Sequence, residues 1–316
     1  MKIRFWGVRG SIPTPLTTHQ LRAKLKSAIS RITPEDIRTP GDIDKFINRL
    51  PLPERNIIGG NTSCLEVRAD DKILIFDMGS GLKGLGNHLI RHEQNKDGLE
   101  IHIFMSHTHW DHLIGFPFFT PAFLPQNKLF FYSIHPRLRE RLEIQQDFRF
   151  FPVSLDNMSS QKEFIELKHH EEFQLGNIKI RNHPLYHPGG SFGYRVEYDN
   201  KVFIYATDSE YKETSGKKIE DSIAFFKGAN ILVFDAQYTF EEAIHKEDWG
   251  HSSALIGIDY AIEAGVEKLV LFHHEPERDD FEISDILQKS INYKKMNYPT
   301  EELEVILAHE GLEFEL

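Results

Sequence analysis

The run Ser106-His107-Thr108-His109-Trp110-Asp111-His112 places three imidazoles and one carboxylate within six consecutive positions, 107–112. Imidazole nitrogen and carboxylate oxygen are the donors that hold catalytic zinc. One tetrahedral zinc that keeps a position open for water takes about three protein ligands. Four ligand-type side chains in so short a run therefore mean either one bystander or two ions. His107 and His109, at i and i+2 on an extended segment, share a direction and can grip one ion. Asp111 and His112 follow where the chain turns toward a helix and face another way, which a second, adjacent ion satisfies. More such donors stand at the ends of apolar runs: His187 after 178–185, Asp208 closing 201–208, and His273 closing 268–273, with His251 at a helix start between them. A carboxylate at Asp208 can bridge two cations, as in hydrolytic sites whose ions lie about 3.5–4 Å apart. Adjacent side chains on a strand alternate, so His273 and His274 cannot both face one site. The position after "LVLF" assigns His273 to the metal and leaves His274 beside the ligands or at the surface.

The elements that must position these donors read as apolar strands punctuated by turns. They span 2–8, 63–69, 72–79 and 100–106 in the first half, then 178–185, 192–198, 201–208, 230–237, 268–274 and 304–311. Helical patterns lie between them. Residues 253–265 place Leu255, Ile258, Ala261 and Ile262 on one stripe before a stop at Gly265. Strands interleaved with helices predict an α/β fold, with residues 1–316 as one domain. Residues 16–58 carry no strand pattern. Leu21, Leu25, Ile29 and Ile32 make one helical stripe, and Ile43, Phe46, Ile47 and Leu50 another after a cap at Asp42. This segment is expected as a helical insertion, either an ornament packed on the core or a lid over the site.

Composition narrows the partners. At 316 residues and 40% apolar content the chain can bury a large core. Its 37 basic and 48 acidic residues leave a net charge of -11, against the basic footprint of a nucleic-acid binder. A long nucleic acid is therefore disfavoured and a small substrate expected. The one cysteine, Cys64, excludes an intrachain disulfide and a cysteine-rich zinc site. The N-terminus lacks the apolar core of a signal peptide, and no run approaches the ~20 apolar residues of a membrane span. A cytoplasmic protein without membrane contact is expected, with a homodimer as the default assembly. Of the 17 histidines, His19, His88, His92, His135, His169, His170 and His245 lie among polar neighbours and are expected as solvated rings. His102 and His183 are expected to be structural.

The pattern His-x-His-x-Asp-His, with Asp77 in "LIFDMGSG", His187, Asp208 and the paired "GHSSA … LVLFHH", closely resembles the metallo-β-lactamase fold superfamily of metal-dependent hydrolases. "GGNTSC" (59–64), "SFGYRVEY" and "GHSSA" make it most similar to the phosphodiesterase branch, which includes the tRNA 3′-processing endonuclease and cyclic phosphodiesterases. The resemblance implies an αββα sandwich holding two divalent ions per chain, zinc with manganese or iron as alternatives. It assigns His107, His109 and His187 to one ion and Asp111, His112 and His273 to the other, with Asp208 bridging. Asp111 thereby belongs to the catalytic centre as well as to the ligand set, and Asp77 becomes a carboxylate that orients a ligand histidine.

A dinuclear site of this kind implies hydrolysis through a metal-bridging hydroxide, with His251 as the catalytic proton donor to the leaving oxygen. Asp235 is expected to act as Asp77 does or to be an ordinary strand-end residue. Ser11, Asn61 and Thr62 lie in Gly-flanked turns that could offer donors to a phosphate. The aromatic run 115–132 is expected in the core, with some rings beside the site. The leading reading is a phosphodiesterase acting on a small nucleotide or cyclic nucleotide. The rivals are a tRNA 3′-processing endoribonuclease and a hydrolase of a lactone or thioester, because the activated hydroxide does not by itself distinguish phosphorus from carbonyl.

Overall fold

In the computed structural model, residues 1–211 and 216–316 are described. The strands β1 (Lys2–Gly7), β2 (Cys64–Ala69), β3 (Lys72–Phe76), β4 (Glu100–Met105), β5 (Lys128–Ser133) and β6 (Gln161–Glu166) lie side by side in one sheet. A second sheet holds β7 (Glu172–Leu175), β8 (Ile178–Leu185), β9 (Ser191–Tyr198), β10 (Lys201–Ala206), β11 (Ile231–Asp235), β12 (Lys268–Phe272) and β13 (Glu304–Leu307). The last strand, β14 (Glu313–Glu315), returns to the first sheet antiparallel to β1. Four strands fall outside the runs marked in the sequence. β6 (QKEFIE) and β7 (EFQL) carry the mixed pattern of half-exposed strands, β14 is three residues long, and β5 is the tail of the aromatic run 115–132.

Helices cover both sheets, because the period-2 alternation gives each strand two apolar faces. Ile73 and Ile75 of β3, with Ile101 and Ile103 of β4, pack against α4 (Leu82–His92), α5 (Trp110–Leu113) and α6 (Leu138–Gln145). Leu74, Phe76 and Phe104 point the other way and meet Tyr194, Phe203 and Tyr205 between the sheets. On the far side of the second sheet lie α7 (Gly216–Phe226), α9 (Ala254–Glu263) and α10 (Asp280–Asn297), with the short α8 (Phe240–His245) beside α9. The buried face of α9 is Ala254, Gly257, Ile258 and Ala261, one position off the expected stripe. Gly257 lies so close to Phe234 that a Cβ there would sit 2.7 Å from its ring.

Residues 16–58 form α1 (Thr18–Ile29), α2 (Pro40–Arg49) and the short α3 (Leu52–Arg55) between β1 and β2. The cap of α2 is Thr39, followed by Pro40 at the first helical position; Asp42 sits three residues later and accepts from the Thr39 hydroxyl. The apolar stripe Leu21, Leu25 and Ile29 faces solvent, and the buried residue of α1 is Lys24.

β3 to β6 run parallel, as do β10 to β13. Open α/β sheets present ligand sites beyond the carboxyl ends of such strands. Asp77, His107, Asp208, Asp235 and His273 all stand there, at or just after β3, β4, β10, β11 and β12.

Candidate metal centre

β4 ends at Met105, and the extended stretch that follows carries His107 and His109 before α5 begins at Trp110. α5 then turns Asp111 and His112 inward. Among the described residues, three groups of donor atoms lie within 4.8 Å of one another: His107 with His109 and His187; Asp111 with His112, Asp208 and His273; and Asp208 with Asp235, His251 and His273. The two oxygens of Asp208 divide between the first two groups. Oδ1 lies 3.7 Å from His107 Nε2 and 3.9 Å from His187 Nε2, while Oδ2 lies 3.2 Å from His112 Nε2 and 3.3 Å from His273 Nε2. Asp111 Oδ2 completes the second group, 3.3 Å from His112 Nε2 and 3.2 Å from His273 Nε2. His109 Nδ1 closes the first at 3.0 Å from His187 Nε2.

The hydrogen bonds around the imidazoles set their tautomers. His112 Nδ1 donates to Asp77 Oδ2 at 2.7 Å, and His187 Nδ1 to the Gly250 carbonyl at 2.8 Å. His273 Nδ1 donates to Gln237 Oε1 at 3.1 Å. His107 Nδ1 reaches Ser106 Oγ at 3.0 Å, and that hydroxyl donates to Asp77 Oδ2 at 2.6 Å. Four rings thus carry a proton on Nδ1 and turn Nε2 toward Asp208. His107 Nε2 and His112 Nε2 are buried without a hydrogen-bond partner. Buried polar atoms are ordinarily satisfied, and bare imidazole nitrogens aimed at ionised carboxylates are the arrangement that a divalent cation completes. The donor set fits such an ion: all nitrogen and oxygen, with the outer ring nitrogens held by acceptors.

Electrostatics agree. Burial alone would raise the carboxyls of Asp111 and Asp208, but His112 and His273 outweigh it and hold both well below the usual carboxylate range. The same charges act in reverse on His273. Burial pulls its imidazole down, and Asp208 and Asp111 push it up to about 9. His107 lies deeper among other rings, and burial lowers it. A cation entering here would displace protons from rings so placed.

The backbone is bent to make the centre. Four of the eleven non-glycine residues with positive φ among those described are Ser11 (61°), Asp77 (61°), Asp208 (56°) and His273 (61°), each at a strand end or turn of the site. Such residues are uncommon, and they cluster at functional sites. Two glycines make room for ligand rings. A Cβ on Gly10 would lie 2.5 Å from His273, and one on Gly250 2.2 Å from His187.

An open pocket of about 420 Å³ lies over these groups, lined by Ser11, Thr108, His109, Trp110, Asp111, Asp208, His251 and His273. His251 Nδ1 donates to Asp235 Oδ2 at 2.7 Å, and Asp235 also accepts the backbone N–H of Asp208 at 3.0 Å. Ser11 donates its N–H to Asp111 Oδ2 at 2.7 Å. Asn61 and Thr62 lie elsewhere: Asn61 bonds Glu310 and Ser80, and Thr62 Oγ1 accepts from Ser80 N, so both hold the 61–80 turn instead of facing the pocket. Phe116 and Phe119 are core residues; the aromatic at the pocket is Trp110, 83% exposed.

Two histidines depart from expectation. His135 is buried beside Phe192, and burial lowers its pKa to about 4; His274 is buried too, bonded to the Ala308 carbonyl at 2.9 Å. Ser106, Tyr205 and Gln237 were not singled out in the sequence. Each touches a ligand or the carboxylate behind one, and Tyr205 OH donates to Asp77 Oδ2 at 2.8 Å. A signal existed for Gln237, two residues after Asp235 at a strand end.

Residues 76–274, well over half of the chain, match the model of the beta-lactamase superfamily domain. Ribonuclease Z of Staphylococcus saprophyticus subsp. saprophyticus is 27% identical over 158 residues, 47% of this chain and 46% of that protein, so the match spans about half the length of that relative. Ribonuclease Z of Oceanobacillus iheyensis is 21% identical over 270 residues, 70% of this chain and 84% of the relative. Among solved structures, the metallo-beta-lactamase fold protein YhfI from Bacillus subtilis has a TM-score of 0.63 and 17% identity, covering 100% of this chain and 99% of that one. Human tRNase Z, short form, has a TM-score of 0.60 and 16% identity, covering 100% and 99%. At these identities the likeness to the solved structures is one of fold.

Proposed function

Because the chain belongs to the beta-lactamase superfamily, we propose that it is a dinuclear metal-dependent phosphodiesterase acting on a small nucleotide or cyclic nucleotide. The observation that carries this reading is the divided Asp208 carboxylate, with one oxygen toward His107 and His187 and the other toward His112 and His273. On that basis His107, His109 and His187 would hold one ion, Asp111, His112 and His273 the other, and Asp208 both. Zinc suits the donors, as do manganese and iron. When bound, two such ions supply Lewis acidity and lower the pKa of water toward neutrality.

The chain's own residues do the rest. Ser106, Asp77, Gln237 and the Gly250 carbonyl hold the ligand rings in one tautomer and orientation. Ser11 N–H steadies Asp111. The Asp235 carboxylate holds Nδ1 of His251, which leaves Nε2 to face the pocket. In the cationic ring, the proton on Nε2 is the one placed to pass to the leaving alkoxide. Thr108 accepts from Arg141 Nη1 at 2.5 Å, which puts a guanidinium behind the pocket wall.

A second reading, cleavage at the 3′ end of precursor tRNA, is favoured by the names of the two curated relatives; the net charge of -11 weighs against a long polyanion. The test is to assay protein of known metal content on an aryl phosphodiester, a panel of cyclic nucleotides and a precursor tRNA, beside Asp208→Ala and His251→Ala. Turnover of small diesters that vanishes in Asp208→Ala, and falls about 10²–10⁴-fold in a metal-retaining His251→Ala, supports the first reading. Cleavage of precursor tRNA alone moves the assignment to the second, and activity confined to esters or lactones defeats both.

A further inference from the structure

The arginines on and beside α6 differ in how their charge is met. Arg137 pairs with Glu140, Arg139 with Glu143 and Asp156, and Arg149 with Asp147. Arg141 is more deeply placed than these, partly buried in the middle of the helix, yet among the described residues it meets no carboxylate. Its Nη1 donates to Thr108 Oγ1 at 2.5 Å, and among those residues its Nε and Nη2 donate to nothing. The helix that carries it is held in place. Leu138 and Leu142 are buried, and Gln145 Nε2 donates to the Leu113 carbonyl at 2.9 Å, which ties α6 to the helix bearing Asp111 and His112.

Thr108 stands between the candidate ligands His107 and His109 and lines the pocket. A hydroxyl has lone pairs to accept with and one proton to give. Arg141 occupies a lone pair, and no described residue takes the proton. A charge-assisted bond of this kind fixes the hydroxyl and polarises it, so that it becomes a stronger donor. The group that suits it is an oxygen acceptor bearing negative charge, because a guanidinium without a carboxylate stands behind it. A phosphoryl group fits better than a carbonyl. It offers two charged non-bridging oxygens where a carbonyl offers one neutral oxygen, so a donor set apart from the ligand cluster still finds an acceptor.

We propose that the Thr108 hydroxyl donates to a non-bridging oxygen of the substrate's phosphoryl group, and that Arg141 is the positioning residue that aims it. The proposal rests on the phosphodiester reading above and deepens it, because it gives the phosphoryl group a protein contact that is not a metal ligand. Thr108 touches substrate. Arg141 acts through Thr108.

The experiment titrates inorganic phosphate into the metal-loaded full chain by calorimetry, and measures kcat and KM for an aryl phosphodiester on the same preparations. Metal content and far-UV circular dichroism are the controls. Thr108→Val is expected to raise the phosphate Kd and the diester KM about 10–100-fold, the range for hydrogen bonds to charged groups, with kcat changed less than KM and with metal content and spectrum unchanged. Thr108→Ser, which keeps the hydroxyl, is expected to restore both. Arg141→Met is expected to weaken phosphate binding several-fold, and Arg141→Lys less. The double variant Thr108→Val, Arg141→Met is expected to bind phosphate no more weakly than Thr108→Val alone, because effects add only at independent sites. Wild-type phosphate affinity in Thr108→Val overturns the proposal, as does metal loss in that variant, since Thr108 would then serve the ligands. Additive losses in the double variant overturn the role given to Arg141. A wild type that binds no phosphate overturns the proposal as well, and its turnover of the aryl diester then shows separately whether the phosphodiesterase reading stands.

Discussion

Asp77 offers a test of how the ligand tautomers are held. Its carboxylate is fully buried and accepts four hydrogen bonds: Ser106 N to Oδ1 at 2.7 Å, and to Oδ2 Ser106 Oγ at 2.6 Å, His112 Nδ1 at 2.7 Å and Tyr205 OH at 2.8 Å. Asn is the informative replacement, because it keeps the shape and tolerates the φ of 61° that Asp77 adopts. It must, however, put an NH₂ where one oxygen was. With the amide nitrogen at the Oδ2 position, the two hydroxyls can rotate to accept, but the His112 Nδ1 proton has no acceptor. The ring must then move that proton to Nε2, the nitrogen that faces Asp111 and Asp208. With the amide flipped, His112 keeps its partner and the buried Ser106 N–H loses one. The flipped orientation leaves a buried donor unsatisfied, at a cost of about 1–3 kcal/mol, and the other puts a proton on the nitrogen that faces Asp111 and Asp208. Partners of metal-binding histidines are generally worth 10–100-fold in metal affinity, which is about 1.4–2.7 kcal/mol. The expected result for Asp77→Asn is a urea midpoint lowered by that stability loss and a metal content that falls at 10–100-fold lower chelator competition than in the wild type. Wild-type metal retention in a variant that folds normally would refute the reasoning, since the tautomer of His112 would then not depend on Asp77.

Three further outcomes follow from particular contacts. Gly10→Ala forces a Cβ to within 2.5 Å of the His273 ring; the expected result is loss of about one metal equivalent by elemental analysis while the fold persists. Asp280→Ala leaves Lys24 and Arg9 buried without their shared carboxylate, which should lower unfolding free energy by about 3–5 kcal/mol in urea titrations; a loss under 1 kcal/mol would mean that water reaches both cations. Trp110→Ala removes an exposed ring at the pocket edge. If that ring stacks on a base, worth about 1–3 kcal/mol, KM for a nucleotide rises roughly tenfold, with kcat and KM for a simple aryl diester unchanged.

The legible parts of this protein are those written in local patterns. Strands β1 to β4 and β8 to β13 show in the sequence because each alternates or sustains apolar residues over four to eight positions. β6 and β7 do not, because exposed, mixed strands read like loops. Alternation separates His273 from His274, the place after "LVLF" picks His273, and the structure turns the two rings to different partners. The helices of residues 16–58 show in their spacing, yet their orientation could not be read. A stripe of Leu and Ile normally marks the inner face, and the reason it does not here is Asp280, which lies 256 residues from Lys24 and draws it inward. His135 is buried for a similar cause: its sequence neighbours are polar, but Phe192, far along the chain, covers it.

By itself the sequence determined which donors are present and that they stand at strand ends, because ligand type and strand period are properties of short segments. It could not determine how those donors meet. Ser106 between His107 and Asp77, Gln237 behind His273, and Asp235 behind His251 are pairings between residues of different elements, set by register and by backbone turned into positive φ. The division of Asp208 between two groups of imidazoles exists only because the two sheets bring the carboxyl ends of β4, β10 and β12 to one edge, and tertiary packing alone decides distances of 3–4 Å across that gap.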